Sequence, residues 1–160
     1  MEFRLSEHTH QSEMYLNGIN VEKEIREMNV SNFVSPISAI KGVRDEVVTL
    51  QRKFSDVHGI VMDGRDIGTN VFPDAEVKIF MTAEEEVRAH RRWKELDEKG
   101  LNVSLEEIKL NIQHRDHEDT HRKYNPLRKA KDAIVLDNTH MTLKEQLDFA
   151  LKLIKDKIEH

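Results

Sequence analysis

The 160-residue sequence contains no cysteine, which excludes disulfides, cysteine-based zinc sites and cysteine nucleophiles. No stretch approaches the ~20 consecutive apolar residues of a transmembrane helix, and the first ten residues lack the apolar segment of a signal peptide. Proline (3) and glycine (6) are too scarce for a flexible linker. The net charge of -5 disfavours a general nucleic-acid binder. We therefore expect a soluble, cytoplasmic, single-domain protein that binds neither nucleic acid nor membranes.

The N-terminal part of the chain predicts a small β-lobe followed by helices. Residues 3–5, 13–16 and 19–21 predict strands, and Asn17-Gly18 predicts a hairpin between the last two. A short polar helix over residues 21–28 follows. The next predicted helix begins at Ser31 with Pro36 near its start. Gly42 predicts a break before an amphipathic helix that ends near Val57.

The rest of the chain predicts alternating strands and helices. Residues 59–62 are typical of a buried parallel strand, and residues 77–81 and 133–137 predict two more strands. Thr82 is expected to cap a helix that stops at Gly100, and Ser104 with Glu107 forms a predicted capping box for the next helix. Residues 142–158 predict a closing amphipathic helix. This order indicates an α/β core with a small inserted β/α lobe.

Two charged constellations could carry chemistry. The first, residues 63–69 (DGRDIGT), follows the predicted strand 59–62, and ligands bind at the carboxyl ends of parallel strands. An arginine there can grip a phosphate, although an Arg–Asp pair can also simply hold a turn. In the second, Arg115, Asp119 and Arg122 share one helix face. They indicate either a solvated ion-pair ladder or a lid that brings positive charge over a transferring phosphoryl group.

Two further clusters lie near that second constellation. His114, His117 and His121 could form a metal face, but the surrounding arginines oppose a cation, so we interpret them as titrating surface histidines without a metal. Three arginines of the preceding helix could bind nucleotide phosphates or be neutralised by neighbouring glutamates; they are Arg88, Arg91 and Arg92.

Three segments give the sequence a marked resemblance to the bacterial cytidylate (CMP) kinases over about residues 1–158. They are GRDIGTNVFPDAEVKIFMTA (64–83), RDHEDTHRKYNPL (115–127) and DAIVLDNT (132–139). The family pattern is GRD-hydrophobe-GT-x-VFPDA, then RDxxDxxRxxxPL. NGINVEKEIR (17–26) and SPISAIKGVR (35–44) match the nucleoside-monophosphate-binding insert of the family more loosely.

The resemblance implies an α/β fold with the parallel sheet of a P-loop nucleoside monophosphate kinase and a small inserted β/α nucleotide-binding lobe. No glycine is followed by lysine, so the phosphate loop of the family and its central strand are absent from this sequence. The chain therefore resembles a single partial kinase domain over residues 1–160. Residues 1–57 would form the insert and its helices, and residues 58–160 the core strands, the lid and the C-terminal helix.

The resemblance also implies phosphoryl transfer from ATP, with Mg²⁺ bound to ATP, onto CMP or dCMP. The implied roles are cytosine recognition by Ser35, Arg44 and Asp66, phosphate binding by Arg65 and Arg122, and ribose binding by Arg115 and Asp119. Arg115 and Arg122 would be catalytic, and Arg91 and Arg92 are candidates for ATP binding. The donor–acceptor pattern supports the specificity, because the N4 amino group of cytosine can donate to Asp66 whereas O4 of uracil cannot.

The missing Gly-Lys loop decides which outcomes we expect for the isolated chain. The leading expectation is a cytidylate kinase fragment that is inactive alone, because the donor phosphates lose their main cradle. The alternatives are a non-catalytic nucleotide-binding module that keeps the CMP site and lid, and a plain interaction domain. The absence of the central strand further predicts self-association, because unpaired apolar strand edges recruit another chain.

Overall fold

The computed structural model describes residues 2–7, 10, 12–53 and 59–159, without the side chains of Ser35 and Ile158. The elements are β1 Glu2–Leu5, β2 Ser12–Leu16, β3 Ile19–Asn20, α1 Met28–Ser38, α2 Lys41–Lys53, β4 Ile79–Thr82, α3 Glu85–Glu98, α4 Leu105–His121, β5 Ile134–Asp137 and α5 Leu143–Ile158. Two short turns interrupt this order, a 3₁₀ turn at Glu24–Arg26 and a π turn at Ile67–Val71. The α/β class is therefore confirmed.

The N-terminal strands form the predicted antiparallel meander, β1-β2-β3. Asn17 and Gly18 both have positive φ angles, 52° and 81°, as a tight two-residue hairpin requires. The predicted helix over residues 21–28 is wrong, because only the 3₁₀ turn forms there. The Asn20 side chain accepts from the Glu22 N–H (3.0 Å), and local bonds of this kind compete with a helix.

The two helices that follow differ from the prediction at their ends. The first, α1, begins at Met28 rather than Ser31, so Pro36 lies in its last turn and not near its start. The hydrogen bonds after Pro36 close over three residues, which ends the helix (Ala39 N–H to the Pro36 carbonyl, 3.2 Å). Gly42 lies inside α2, one residue after its start. The predicted end of this helix at Val57 lies outside the described residues.

The C-terminal part contains a parallel pair of strands, β4 and β5, in the register Ile79↔Ile134 to Thr82↔Asp137. The predicted strand at 59–62 is wrong, and Val61 is 96% exposed. A strand needs a neighbour for its backbone groups. Among the described residues, β4 and β5 pair only with each other, so this apolar run has no such neighbour.

Helices α3 and α4 pack together around the main apolar cluster, which contains Ala89, Leu96 and Ile108. Thr82 does not cap α3, because it is the last residue of β4; instead the Thr139 hydroxyl accepts from the Glu84 N–H (3.0 Å). Two predicted helix ends are confirmed: the stop of α3 at Gly100, with a φ of 71°, and the capping box before α4. A second capping box, Thr142 with Glu145, begins α5 and was not predicted. None of the described helices is long and apolar enough to cross a membrane.

Candidate functional site

The site is built around residues 63–71, called the GRD loop here, whose second half is the π turn. The carbonyl of Asp66 accepts from the backbone N–H groups of Asn70 (2.9 Å) and Val71 (3.3 Å). The turn is also held from α2, where Arg52 donates from Nη2 to the Asn70 carbonyl (2.7 Å) and from Nε to the Val71 carbonyl (3.0 Å). These bonds bury Asp66, which is 7% exposed.

The Asp66 carboxylate meets charged groups from two helices. Oδ2 accepts from Nη2 of Arg44, a residue of α2 that is 9% exposed, and from the side-chain amide of Asn70 (3.1 Å). Oδ1 lies 3.7 Å from Nη2 of Arg122, beyond hydrogen-bond distance. A buried carboxylate with a free oxygen beside a guanidinium can bind a ligand that both donates and accepts.

Residues 115–127, which include the end of α4, approach the GRD loop. Asp119 is 3% exposed; its Oδ2 forms an ion pair with Arg65 (3.1 Å to Nε), and its Oδ1 accepts from Nη1 of Arg122 (3.2 Å). Arg122 follows the last residue of α4 and also donates from Nε to the Asn125 carbonyl (2.7 Å). The two motifs that are about 50 positions apart in the sequence thus meet through Asp66, Asp119 and the arginines between them.

Positive charge at this junction exceeds what the carboxylates balance. Arg115 has one polar side-chain contact, Nη1 to the Ser31 hydroxyl at 3.4 Å. Burial and the neighbouring Arg65 guanidinium lower the pKa of Arg115. Burial and Arg44 likewise lower the pKa of Arg122, although Asp66 and Asp119 oppose the shift. Both shifts indicate a cluster in which an added anion would be stabilised.

Arginine nitrogens without a hydrogen-bond partner lie at the same junction. Among the described residues, three buried side-chain nitrogens have no hydrogen-bond partner, namely Arg44 Nε, Arg115 Nε and Arg122 Nη2. Buried polar groups are almost always hydrogen-bonded, so orphaned donors need an explanation. All three belong to residues that the sequence assigned to nucleotide binding. Their convergence indicates a site for a ligand with several acceptor atoms.

Sequence reasoning missed two residues that shape this site. Asp116 accepts from Arg88 Nη1 (2.5 Å) and lies 3.8 Å from Arg65 Nη1, so it links α3 to the GRD loop. The motif RDxxDxxR contains Asp116, a signal that could have been used. Asn70 occupies the unspecified position of GRD-hydrophobe-GT-x-VFPDA, and the pattern gave no reason to choose it.

The remaining candidates lie elsewhere or outside the description. Arg91 donates to the side chain and carbonyl of Asn138 (2.9 and 2.7 Å), and Arg92 donates to Glu95 (2.8 Å). Their binding of ATP stays a prediction. The side chain of Ser35 falls outside the described residues. His117 and His121 stack with ring centroids 4.2 Å apart, and no group of His, Asp or Glu in the described residues could hold a metal ion.

Comparison with known proteins agrees with the motifs. A family model described as cytidylate kinase matches residues 1–156. Curated proteins named cytidylate kinase are similar: one from Bacteroides fragilis is 52% identical over 93% of this chain and 65% of its own length. One from Parabacteroides distasonis is 53% identical (94% and 66%), and one from Flavobacterium johnsoniae is 49% identical (99% and 69%). The chain thus spans about 65% of the length of the Bacteroides relative.

Proposed function

Because this chain belongs to the cytidylate kinase family, we propose that it binds CMP or dCMP as the phosphoryl acceptor of an ATP-dependent kinase reaction. The products would be ADP and the cytidine diphosphate. The observation that carries the proposal is the set of three unpaired, buried arginine nitrogens around Asp66 and Asp119. They offer donors where a nucleotide has acceptors.

The cytosine base fits the inner part of the site. Asp66 Oδ1 accepts from the N4 amino group, since Oδ2 is taken by Arg44 and Asn70. The unpaired Nε of Arg44 donates to N3 or O2 of the base. Uracil presents O4 to the carboxylate, which sets two acceptors against each other. A ligand that leaves a buried polar group of the site unpaired is strongly rejected.

The sugar and phosphate fit the outer part. Arg65 is 40% exposed in its side chain, so it can donate to a phosphate at the solvent side. The Arg122 side chain is 4% exposed, and its unpaired Nη2 is a donor for the part of the phosphate that reaches into the junction. Asp119 can accept from a ribose hydroxyl while Arg115 orients it. Phosphoryl transfer needs positioning and neutralisation of charge rather than a covalent intermediate. Arg115 and Arg122 supply the positive charge for that step.

Fewer residues support the proposed binding of ATP, the phosphoryl donor. The arginine-rich junction fits a polyanion, because three buried arginine nitrogens there have no hydrogen-bond partner among the described residues. Magnesium would arrive bound to the ATP phosphates and supply charge neutralisation at the transferring group. Arg91 and Arg92 are the proposed ATP contacts. Residues 1–57 would form the acceptor lobe, and residues 58–160 part of a P-loop-type core with the lid.

The absence of a Gly-Lys pair favours a second candidate function. Without that loop, the chain would be a nucleotide-binding module, which binds CMP but transfers phosphate slowly or not at all. Binding and turnover separate the two candidates. Release of ADP from Mg-ATP in the presence of CMP identifies the kinase, and binding without ADP release identifies the module.

Calorimetric titration of the chain with CMP and with UMP tests the shared part of the proposal. We expect CMP to bind at least about tenfold more tightly than UMP, the factor that one unpaired buried group supplies. Arg122→Gln should weaken both nucleotides, because it removes a phosphate contact, whereas the exposed Arg128→Gln is the matched control and should change neither. Failure to bind CMP, or equal binding of CMP and UMP, would overturn the proposal.

A further inference from the structure

Asn70 makes a contact that its place in the family pattern does not explain. It stands at the unspecified position of GRD-hydrophobe-GT-x-VFPDA, four residues after Asp66. Its side-chain Nδ2 lies 3.1 Å from Oδ2 of Asp66. A carboxylate can only accept, so the amide nitrogen and not the amide oxygen faces it. The pattern leaves this position unspecified, so the motif itself does not require this donor.

The contact makes the two oxygens of Asp66 unequal. Oδ2 accepts from two donors, Arg44 and Asn70, whereas the one charged group near Oδ1 in the described part of the chain is the Arg122 guanidinium, 3.7 Å away. A single donor such as Arg44 leaves a carboxylate free to rotate about its last torsion, which has a broad energy profile. A second donor on the same oxygen restricts that rotation. Oδ1 is thereby kept as the oxygen without a close partner.

The backbone of Asn70 is itself held in place. Its N–H donates to the Asp66 carbonyl (2.9 Å) and its carbonyl accepts from Arg52 Nη2 (2.7 Å). Both peptide groups of the residue are therefore bonded, and the amide reaches the carboxylate from an ordered turn. Charge-assisted bonds from ordered donors are among the stronger ones in proteins.

We propose that Asn70 is a positioning residue for base selection: it holds Asp66 so that Oδ1 accepts from an exocyclic amino group of the base. The inference rests on the proposed function, because it assumes that Asp66 meets the base. It adds a residue that acts through Asp66 and does not itself touch the nucleotide. Loss of the amide should therefore reduce discrimination between an amino and a carbonyl substituent more than it reduces binding of the phosphate.

The test uses two variants of the full 160-residue chain. Asn70→Leu keeps the shape but removes the donor, and Asn70→Asp keeps the shape but places a second negative charge beside Asp66. Thr69→Val is the matched control, because the Thr69 hydroxyl contacts the Asp66 carbonyl (3.4 Å) rather than its carboxylate. Calorimetry gives the affinities for CMP and UMP, and thermal unfolding shows whether each variant is folded.

We expect both Asn70 variants to lower the ratio of CMP to UMP affinity by about threefold to tenfold, the value of part of one charge-assisted hydrogen bond. UMP affinity should stay close to that of the unmodified chain, and Thr69→Val should keep the ratio. Equal weakening of CMP and UMP binding, which leaves the affinity ratio unchanged, would show a merely structural role and overturn the inference. Unchanged affinities for both nucleotides would also overturn it. If the unmodified chain binds CMP and UMP equally, the proposed function fails first and this inference fails with it.

Discussion

Removal of the Asp66 carboxylate should affect stability and base selection together. Asp66 and Arg44 are 7% and 9% exposed and bonded to each other, so Asp66→Ala leaves a guanidinium buried without its partner. Breaking a buried pair on one side typically costs about 3–5 kcal/mol. Arg44 keeps one weak contact, to the Ser38 carbonyl at 3.4 Å. We therefore expect a loss of unfolding free energy near the middle of that range.

The binding effect follows from the free oxygen of the same carboxylate. A hydrogen bond to a charged group contributes about 1.5–3 kcal/mol, which corresponds to roughly 10- to 150-fold in affinity for CMP. UMP makes no such bond and should lose little. The shape-preserving variant Asp66→Asn should retain more stability than Asp66→Ala, because an amide still accepts from Arg44.

Urea unfolding and calorimetry on the same preparations measure both effects. Asp74→Ala is the matched control, since this exposed aspartate lies eight residues further along the chain and should change stability by about 0.5 kcal/mol or less. If Asp66→Ala proves too unstable for titration, Asp66→Asn provides the comparison of nucleotides. Equal losses of affinity for CMP and UMP would refute base recognition by Asp66 while leaving the stability argument intact.

Four further outcomes are expected. The chain alone should release at most a trace of ADP from Mg-ATP and CMP, and turnover near the ~1–100 s⁻¹ usual for kinases would contradict this. It should self-associate in a sedimentation concentration series, because β4 and β5 pair only with each other among the described residues; a compact monomer at high concentration would refute the argument. Ser104→Ala should cost about 1 kcal/mol in urea unfolding by removing the capping box of α4, and an unchanged midpoint would count against it. Burial raises the pKa of Glu95, but bonds from Lys99 and Arg92 outweigh it, so the pKa is lowered. Stability from this lowered pKa is present above the ordinary value of 4.5 and lost as the pH falls through the folded-state pKa, so Glu95→Gln should weaken the acid dependence of urea unfolding. An unchanged pH profile would contradict that assignment.

Local chemistry made parts of the fold predictable. Asn17-Gly18 determines a hairpin because few other residues adopt its backbone angles, and the capping box at Ser104 satisfies donors within four residues. Where the outcome depends on a distant partner, prediction failed. The apolar run at residues 59–62 has the composition of a strand, but its state depends on whether a neighbouring strand pairs with it.

The residues of the candidate site were also predictable only where the signal is local in the sequence. Motif spacing identified Arg65, Asp66, Asp119 and Arg122, and the structure brings these four into contact. Motif spacing did not identify Asn70, because a side-chain amide at an unspecified position has no sequence signature until its neighbour in the structure is known. The role of Arg91 in ATP binding stays a prediction; its guanidinium donates to Asn138, directly after β5.

The two arginines of α2 that hold the GRD loop have a mechanical consequence. Arg44 donates to the Asp66 carboxylate at the start of the π turn, and Arg52 donates to the backbone carbonyls at its end. These two arginines are about 12 Å apart along the axis of α2. One attachment would act as a pivot, but two attachments at that separation also transmit rotation. A rotation of α2 would therefore move the Asp66 carboxylate with it. A change of angle between α2 and α4 would then change the distance between Asp66 and Arg122.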